Sequence, residues 1–219
     1  MSIVAYYARL SVEQLNDCAI SPDSLSSGSM DHLPGAAVID IDRSWEPMAW
    51  LISSCKREEH KHNALVMKDL IAKQRAPKQS LVSRLAGMFN GARKSPQVSP
   101  EVRGSLKRID DAFPDLPLVA IEGRAEVRDE RFNFGMGAAA VFPPADVLKL
   151  HEALSAITTA NLEHQYAPDE MDRLDVFPGR WKEEGREMMN QYVLANFLRL
   201  QSFYESAAKK HQTVVMWYA

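Results

Sequence analysis

Three features of the sequence predict an α+β fold. A β-branched, aromatic segment stands at each end, proline-opened helical stripes lie between them, and a long amphipathic helix precedes the last segment. The expected architecture is a small mixed sheet that includes both terminal strands, packed with several helices and a long C-terminal helix.

Residues 2–9 (SIVAYYAR) read as the first strand. Ser11 with Gln14 three residues on is a capping-box pattern, opening a short helix to about residue 19. Residues 20–35 hold five Ser, two Pro and two Gly and read as a loop. In AVIDIDRSWEPMAWLISSC, Pro47 confines the helix start, because proline fits only in a first turn whose N–H groups lack intrahelical partners. Ser44 as N-cap puts Trp45, Glu46 and Pro47 at the first three positions, with Met48, Leu51, Ile52 and Cys55 along one face.

Residues 63–73 set Leu65, Met67, Leu70 and Ile71 at roughly helical spacing, and residues 80–89 do the same with Leu81, Leu85, Met88 and Phe89, Arg84 lying opposite. Two short basic amphipathic helices are expected there, on loop-like connections. Residues 114–123 (PDLPLVAIEG) predict a turn and a short helical segment. FNFGMGAAAVF reads as a small-residue strand before Pro143 and Pro144 open a helix whose stripe is Val147, Leu150, Leu154 and Ile157. Another helix starts near Pro168 and VFPG breaks the chain. The helix over about 182–210 is expected to turn Met188, Tyr192, Ala195, Leu198 and Phe203 inward, and TVVMWY is the final strand.

Charge divides the chain. Residues 56–108 carry thirteen Lys+Arg and four Asp+Glu, a net of +9, while the other 166 residues carry thirteen basic and 25 acidic groups, a net of −12. Such a step marks an inserted segment with its own task, or one that docks on an acidic surface. The expected organisation is one domain over residues 1–219 with a basic, partly flexible insertion at about 56–112. The 46% hydrophobic and 25% charged residues are those of an ordinary globular protein with material for a sizeable core. The start lacks a signal-peptide pattern, no apolar run is long enough for a transmembrane segment, and Cys18 and Cys55 read as reduced thiols. A cytoplasmic protein is the natural expectation.

The order of SIVAYYARLS, IDIDRSW, LPLVAIEG, FGMGAAAVFPPADVLKLHEAL, DVFPGRW, FYESAAKK and the closing strand resembles the YfbM-like family of uncharacterised bacterial proteins. The resemblance covers about residues 1–55 and 113–219 and leaves the basic block outside. It implies an α+β fold and brings no established activity and no catalytic residues. Small bacterial families of this kind often serve as immunity partners of toxins.

Chemistry-bearing patterns are sparse. Asp40 and Asp42 fall short of the oxygen shell a divalent cation needs, and are expected to flank Ile39 and Ile41 at the helix start. Glu58, Glu59, His60 and His62 lack a further ligand at a recognisable spacing and read as a solvated run. Gly135 and Gly137 lack the third glycine of a dinucleotide fingerprint and read as a turn or bulge. Cys18 and Cys55 read as core residues, His151 and His164 as surface or capping groups, and Tyr192, Phe197 and Tyr204 as packing. Trp45, Trp50, Trp181 and Trp217, with Tyr6 and Tyr7, are expected in the core or as walls of a cleft. No catalytic, cofactor-binding or metal-ligating residue is expected, and no cofactor. The expected function is a non-enzymatic protein-binding module, of the immunity type that neutralises a bacterial toxin by occluding it. Arg84, Arg93, Lys94, Asp40, Asp42 and Trp45 are its expected contact residues. A protein partner ranks ahead of nucleic acid, since Phe89 is the only aromatic residue in the basic block to stack bases. The alternative is a small enzyme or ligand-binding protein with a site near Asp40, Asp42 and Trp45.

Overall fold

The computed structural model describes residues 3–20, 37–75, 115–123, 128–134 and 136–219, with side-chain placement for all of these except 17–20, 73–75 and 133. The chain divides into two compact units, Met1–Arg57 with Pro114–Ala219, and Glu58–Phe113.

In the first unit a five-stranded sheet runs in the order β2-β1-β5-β4-β3, where β1 is Ala5–Leu10, β2 Ala37–Asp40, β3 Arg128–Asn133, β4 Ala138–Phe142 and β5 Thr213–Tyr218. The terminal strands are neighbours, as expected, and every pairing is antiparallel rather than mixed. β5 lies in the middle, and its buried run from Thr213 to Trp217 fits a strand covered on both faces. Tyr6 stands opposite Trp217 in register and stacks on it at 5.5 Å.

One face of the sheet gathers Ala8, Leu10, Phe132, Phe134, Ala139, Val215 and Trp217 against Leu15 of α1 (Val12–Ile20). The predicted capping box opens α1: Ser11 N donates to Gln14 Oε1 at 2.7 Å and Gln14 N to Ser11 Oγ at 3.2 Å. The remaining helices are α2 (Trp45–Ile52), α3 (Ser54–Arg75), α4 (Leu116–Glu122), α5 (Pro144–Ser155), α6 (Thr159–Gln165), α7 (Pro168–Arg173), α8 (Trp181–Met188) and α9 (Ala195–Lys209), of which α5 and α9 pack on the strands. α5 packs on α4, α9 and the strands β4 and β5 through the predicted Val147, Leu150 and Leu154.

Four local expectations need correction. The stretch WEPMAWLISSC is not one helix, because Ser53 is extended (φ −104°, ψ 123°), so Cys55 belongs to α3. The expected separate helix at residues 63–73 is part of α3, and its Leu65, Met67, Leu70 and Ile71 are exposed; the expected helix at 80–89 lies outside the described residues. The single strand expected over FNFGMGAAAVF is two, with Phe132 and Asn133 ending the charged β3 at the sheet edge and Ala138–Phe142 forming β4; Arg131 and Asp129 of β3 pair at 2.6 Å, and charge suits an edge that must not recruit another strand. The long C-terminal helix is present as expected, as α9, and only the start of the expected 182–210 span differs. Gly185 sits at φ 56°, ψ −143°, and a π-helical turn over Met189–Leu194 joins α8 to α9. The buried residues are Met189, Val193, Leu194, Phe197, Leu200, Phe203, Tyr204 and Ala207; Phe203 is inward as predicted, Met188, Tyr192 and Ala195 each lie one residue from a buried position, and Leu198 is 50% exposed. Apolar doublets such as Met188-Met189 and Phe197-Leu198 support either phase in sequence.

Candidate functional site

The segment from Asp40 to Glu46 sits between two concavities of the first unit. β2 ends at Asp40 and a single 3₁₀ turn, Asp42–Ser44, leads into α2. Asp42 takes φ +48°, a left-handed conformation that aspartate tolerates better than most residues. The turn ends the strand alternation that would have put Asp40 and Asp42 on one face. Ser44 occupies the predicted N-cap position but does not cap with its side chain; its buried hydroxyl donates back to the Ile41 carbonyl. Arg43 stacks over Phe177 at 3.9 Å and pairs with Glu46 at 3.1 Å, whose other oxygen accepts from Phe177 N at 3.2 Å. The VFPG break is thereby pinned to the start of α2.

On one side of this segment the Tyr192 hydroxyl donates to Asp42 Oδ2 at 2.9 Å, and Arg199 donates to the Asp40 backbone carbonyl at 3.0 Å. Burial, then the hydrogen bond to Asp42, push the Tyr192 phenol well above its ordinary range. Tyr192 comes from the π turn and closes an open groove of ≈ 560 Å³ lined by Glu183, Glu184, Glu187, Met188 and Gln191. π turns recur at functional positions because the extra residue redirects side chains from the helical phase.

On the other side Trp45 meets Tyr218 edge to face at 5.3 Å, and its indole N–H donates to the Ile3 carbonyl at 3.4 Å. The two rings wall a cleft of ≈ 380 Å³ shared with Ile3, Met136, Lys56, Glu122, Gly123 and Arg128. Lys56 Nζ pairs with Glu122 Oε2 at 2.8 Å with both side chains largely buried. Arg128 donates one N–H to the Ala138 carbonyl at 2.6 Å and lies over the Tyr218 ring at 6.0 Å.

The floor of the cleft is the end of α4. Helix C-termini leave carbonyls without intrahelical partners. Here three tyrosines from three elements serve consecutive ones. Tyr204 of α9 donates to Ala120 O at 3.1 Å, Tyr7 of β1 to Ile121 O at 2.6 Å, and Tyr218 of β5 to Glu122 O at 3.3 Å. Burial raises all three phenols, with the Glu122 carboxylate adding to the effect at Tyr218. They remain neutral donors at ordinary pH. Gly123 ends the helix at φ +67°, ψ −176°, and a Cβ there would stand 2.9 Å from the Ala140 Cβ.

The structure thus separates the expected contact residues. Asp42 bonds Tyr192 beside the groove, Trp45 lines the cleft, Asp40 is exposed, and Arg84, Arg93 and Lys94 lie outside the described residues. His60 and His62 are two residues apart on a helix, so their rings diverge. Cys55 is half-buried and unbridged, His151 reaches the Ser155 hydroxyl at 3.2 Å, and His164 lines a smaller pocket of ≈ 230 Å³; the side chain of Cys18 and the backbone at Gly135 lie outside what is described. Sequence reasoning missed Lys56, Glu122, Gly123, Arg128 and Tyr218. The glycine directly after the LPLVAIE stripe was the one available signal, as a helix-ending residue.

The family model for the domain of unknown function DUF1877 matches residues 106–217. Among solved structures, the protein of unknown function YfbM from Escherichia coli shares the fold with a TM-score of 0.51 at 14% identity, over 99% of this chain and 99% of that chain. No curated protein matches the sequence.

Proposed function

The chain belongs to the DUF1877 family of domains of unknown function, and from that footing we propose that it is a non-enzymatic protein-binding module of the immunity type. It occludes a basic toxin enzyme in the cytoplasm with the groove along α8 and the π turn, beside Asp42. One observation carries this reading: Glu183, Glu184 and Glu187 line one open groove with Met188 and Tyr192, and Tyr192 hydrogen-bonds the exposed Asp42 beside it. Tyrosine and methionine are enriched in protein interfaces, and complementary charge steers a partner onto them. The acidic balance of the chain outside residues 56–108 favours a basic partner for this face. The expected basic contacts Arg84, Arg93 and Lys94 would engage an acidic region of the same partner. Nucleic acid fits the groove poorly, because its phosphates would face carboxylates.

The test is co-expression with the product of the adjacent reading frame. Growth arrest by that product, relieved by this chain and restored by Glu183→Lys with Glu187→Lys, supports the proposal. Relief that survives the double reversal moves the interface elsewhere, and a neighbour that neither arrests growth nor binds removes the immunity reading. A second reading, a ligand site near Trp45, is favoured by the walled cleft on the other side of the same segment.

A further inference from the structure

We infer that the Trp45–Tyr218 cleft binds a small organic acid, its carboxylate held by Arg128 and Lys56 and its apolar body laid against the two aromatic rings. The inference rests on the ligand-site reading of the cleft and is independent of the docking groove. Charge selects the ligand's sign. Among the described lining residues two cations, Lys56 and Arg128, face the cleft with one carboxylate, Glu122, a balance that favours an anion. Glu122 is committed to Lys56 at 2.8 Å, whereas Arg128 makes one hydrogen bond, to a neutral carbonyl, and has further N–H donors in its planar fork. That fork matches a carboxylate in bidentate geometry, and its carbon lies 6.0 Å from the centre of the Tyr218 ring, close to the aromatic wall.

The rest of the lining selects the body. Trp45, Tyr218, Ile3 and Met136 provide aromatic and aliphatic surface, and a cleft of ≈ 380 Å³ falls in the range of small-molecule sites. The walls are rigid before a ligand arrives. Tyr218 is tied to Glu122 O, Trp45 to Ile3 O, and Lys56 to the Glu122 side chain, so little ordering cost falls on binding. Inorganic phosphate would find the charge but leave the aromatic walls unused, and a neutral arene would find the walls but leave the guanidinium unengaged.

The probe is 3-phenylpropionate, titrated against the full chain while the indole N–H resonances are followed by NMR, with 3-phenylpropionamide as its neutral twin. The expected result is a saturable shift of the Trp45 indole with the acid, and binding of the amide weaker by roughly tenfold or more. Arg128→Gln should lower acid affinity to the level of the amide while the melting temperature holds. Because acid and amide are compared on the unaltered protein, the inference stays testable if that variant fails to fold. Equal binding of acid and amide, no saturation below about 10 mM, or shifts confined to the other three indoles would overturn it. A tetrapeptide ending in Phe that binds more tightly than the free acid would also overturn it, by assigning the cleft to a protein C-terminus. Glu183→Lys with Glu187→Lys should leave the acid titration unchanged, so a failed docking groove and a failed cleft are told apart.

Discussion

The two concavities flanking the Asp40–Glu46 segment both depend on a tyrosine hydroxyl, yet they are built differently. At the cleft, Tyr7, Tyr204 and Tyr218 converge on consecutive carbonyls of α4, two of them fully buried, and Gly123 lets the chain leave the helix against Ala140. At the groove a single exposed hydrogen bond, from Tyr192 to Asp42, ties the lining to the neighbouring 3₁₀ turn. A buried donor–acceptor pair has no water to replace it, whereas an exposed one exchanges with solvent at little cost. The cleft is therefore part of the folding core and tolerates little change. The groove is a surface laid on that core and is free to change its partner chemistry. The difference teaches where to expect stability effects without binding effects, and the converse.

The sharpest break of this comparison is Gly123→Ala. A φ of +67° with ψ near 180° suits only glycine, and the added Cβ would collide with Ala140, so a loss of about 3 kcal/mol or more is expected in chemical denaturation. A loss under about 1 kcal/mol would show that the end of α4 relaxes freely. Next is Tyr7→Phe, which strands the Ile121 carbonyl in the core and should cost about 2 kcal/mol. Alkali probes the same group. Tyr7 and Tyr204 have folded-state values raised above the usual 10.0, so their stabilisation is complete below pH 10. Above that pH the unfolded chain ionises first and stability falls, by about 1.4 kcal/mol per pH unit for each tyrosine. Tyr7→Phe should remove one tyrosine's share of the slope; an unchanged slope would place the alkaline loss elsewhere. The smallest effect belongs to the groove. Asp42→Ala should cost about 1 kcal/mol, from one exposed bond and a left-handed backbone, and Asp42→Asn less than half of that. Equal losses for the two variants would show that the bond does not depend on an acceptor oxygen at this position.

Much of the sheet was legible because its signals are local. The terminal strands announce themselves by β-branched and aromatic runs, and α1 by a capping box that forms as written. β3 was not legible, because an edge strand that faces solvent is composed like a loop. The phase of the last helix was not legible either, since a π turn adds a residue that no apolar spacing reveals. The site was legible only in part. Asp42 and Trp45 were found through the start of α2, but Lys56, Glu122, Arg128 and Tyr218 come from four elements that share no motif. Their chemistry exists only after long-range pairing of β5 with β1 and β4 has brought them to one cleft. Among the described residues no helix is long and apolar enough to cross a membrane.

The most direct test of the docking face is the association rate between this chain and the product of the adjacent reading frame, measured at low and high salt. The account predicts fast association that slows steeply as screening shortens from ~10 Å at 0.1 M to ~3 Å at 1 M salt. It also predicts that Glu183→Lys with Glu187→Lys slows the low-salt rate by roughly tenfold or more, with a far smaller change in dissociation. Association that ignores both the salt and the double reversal would contradict it.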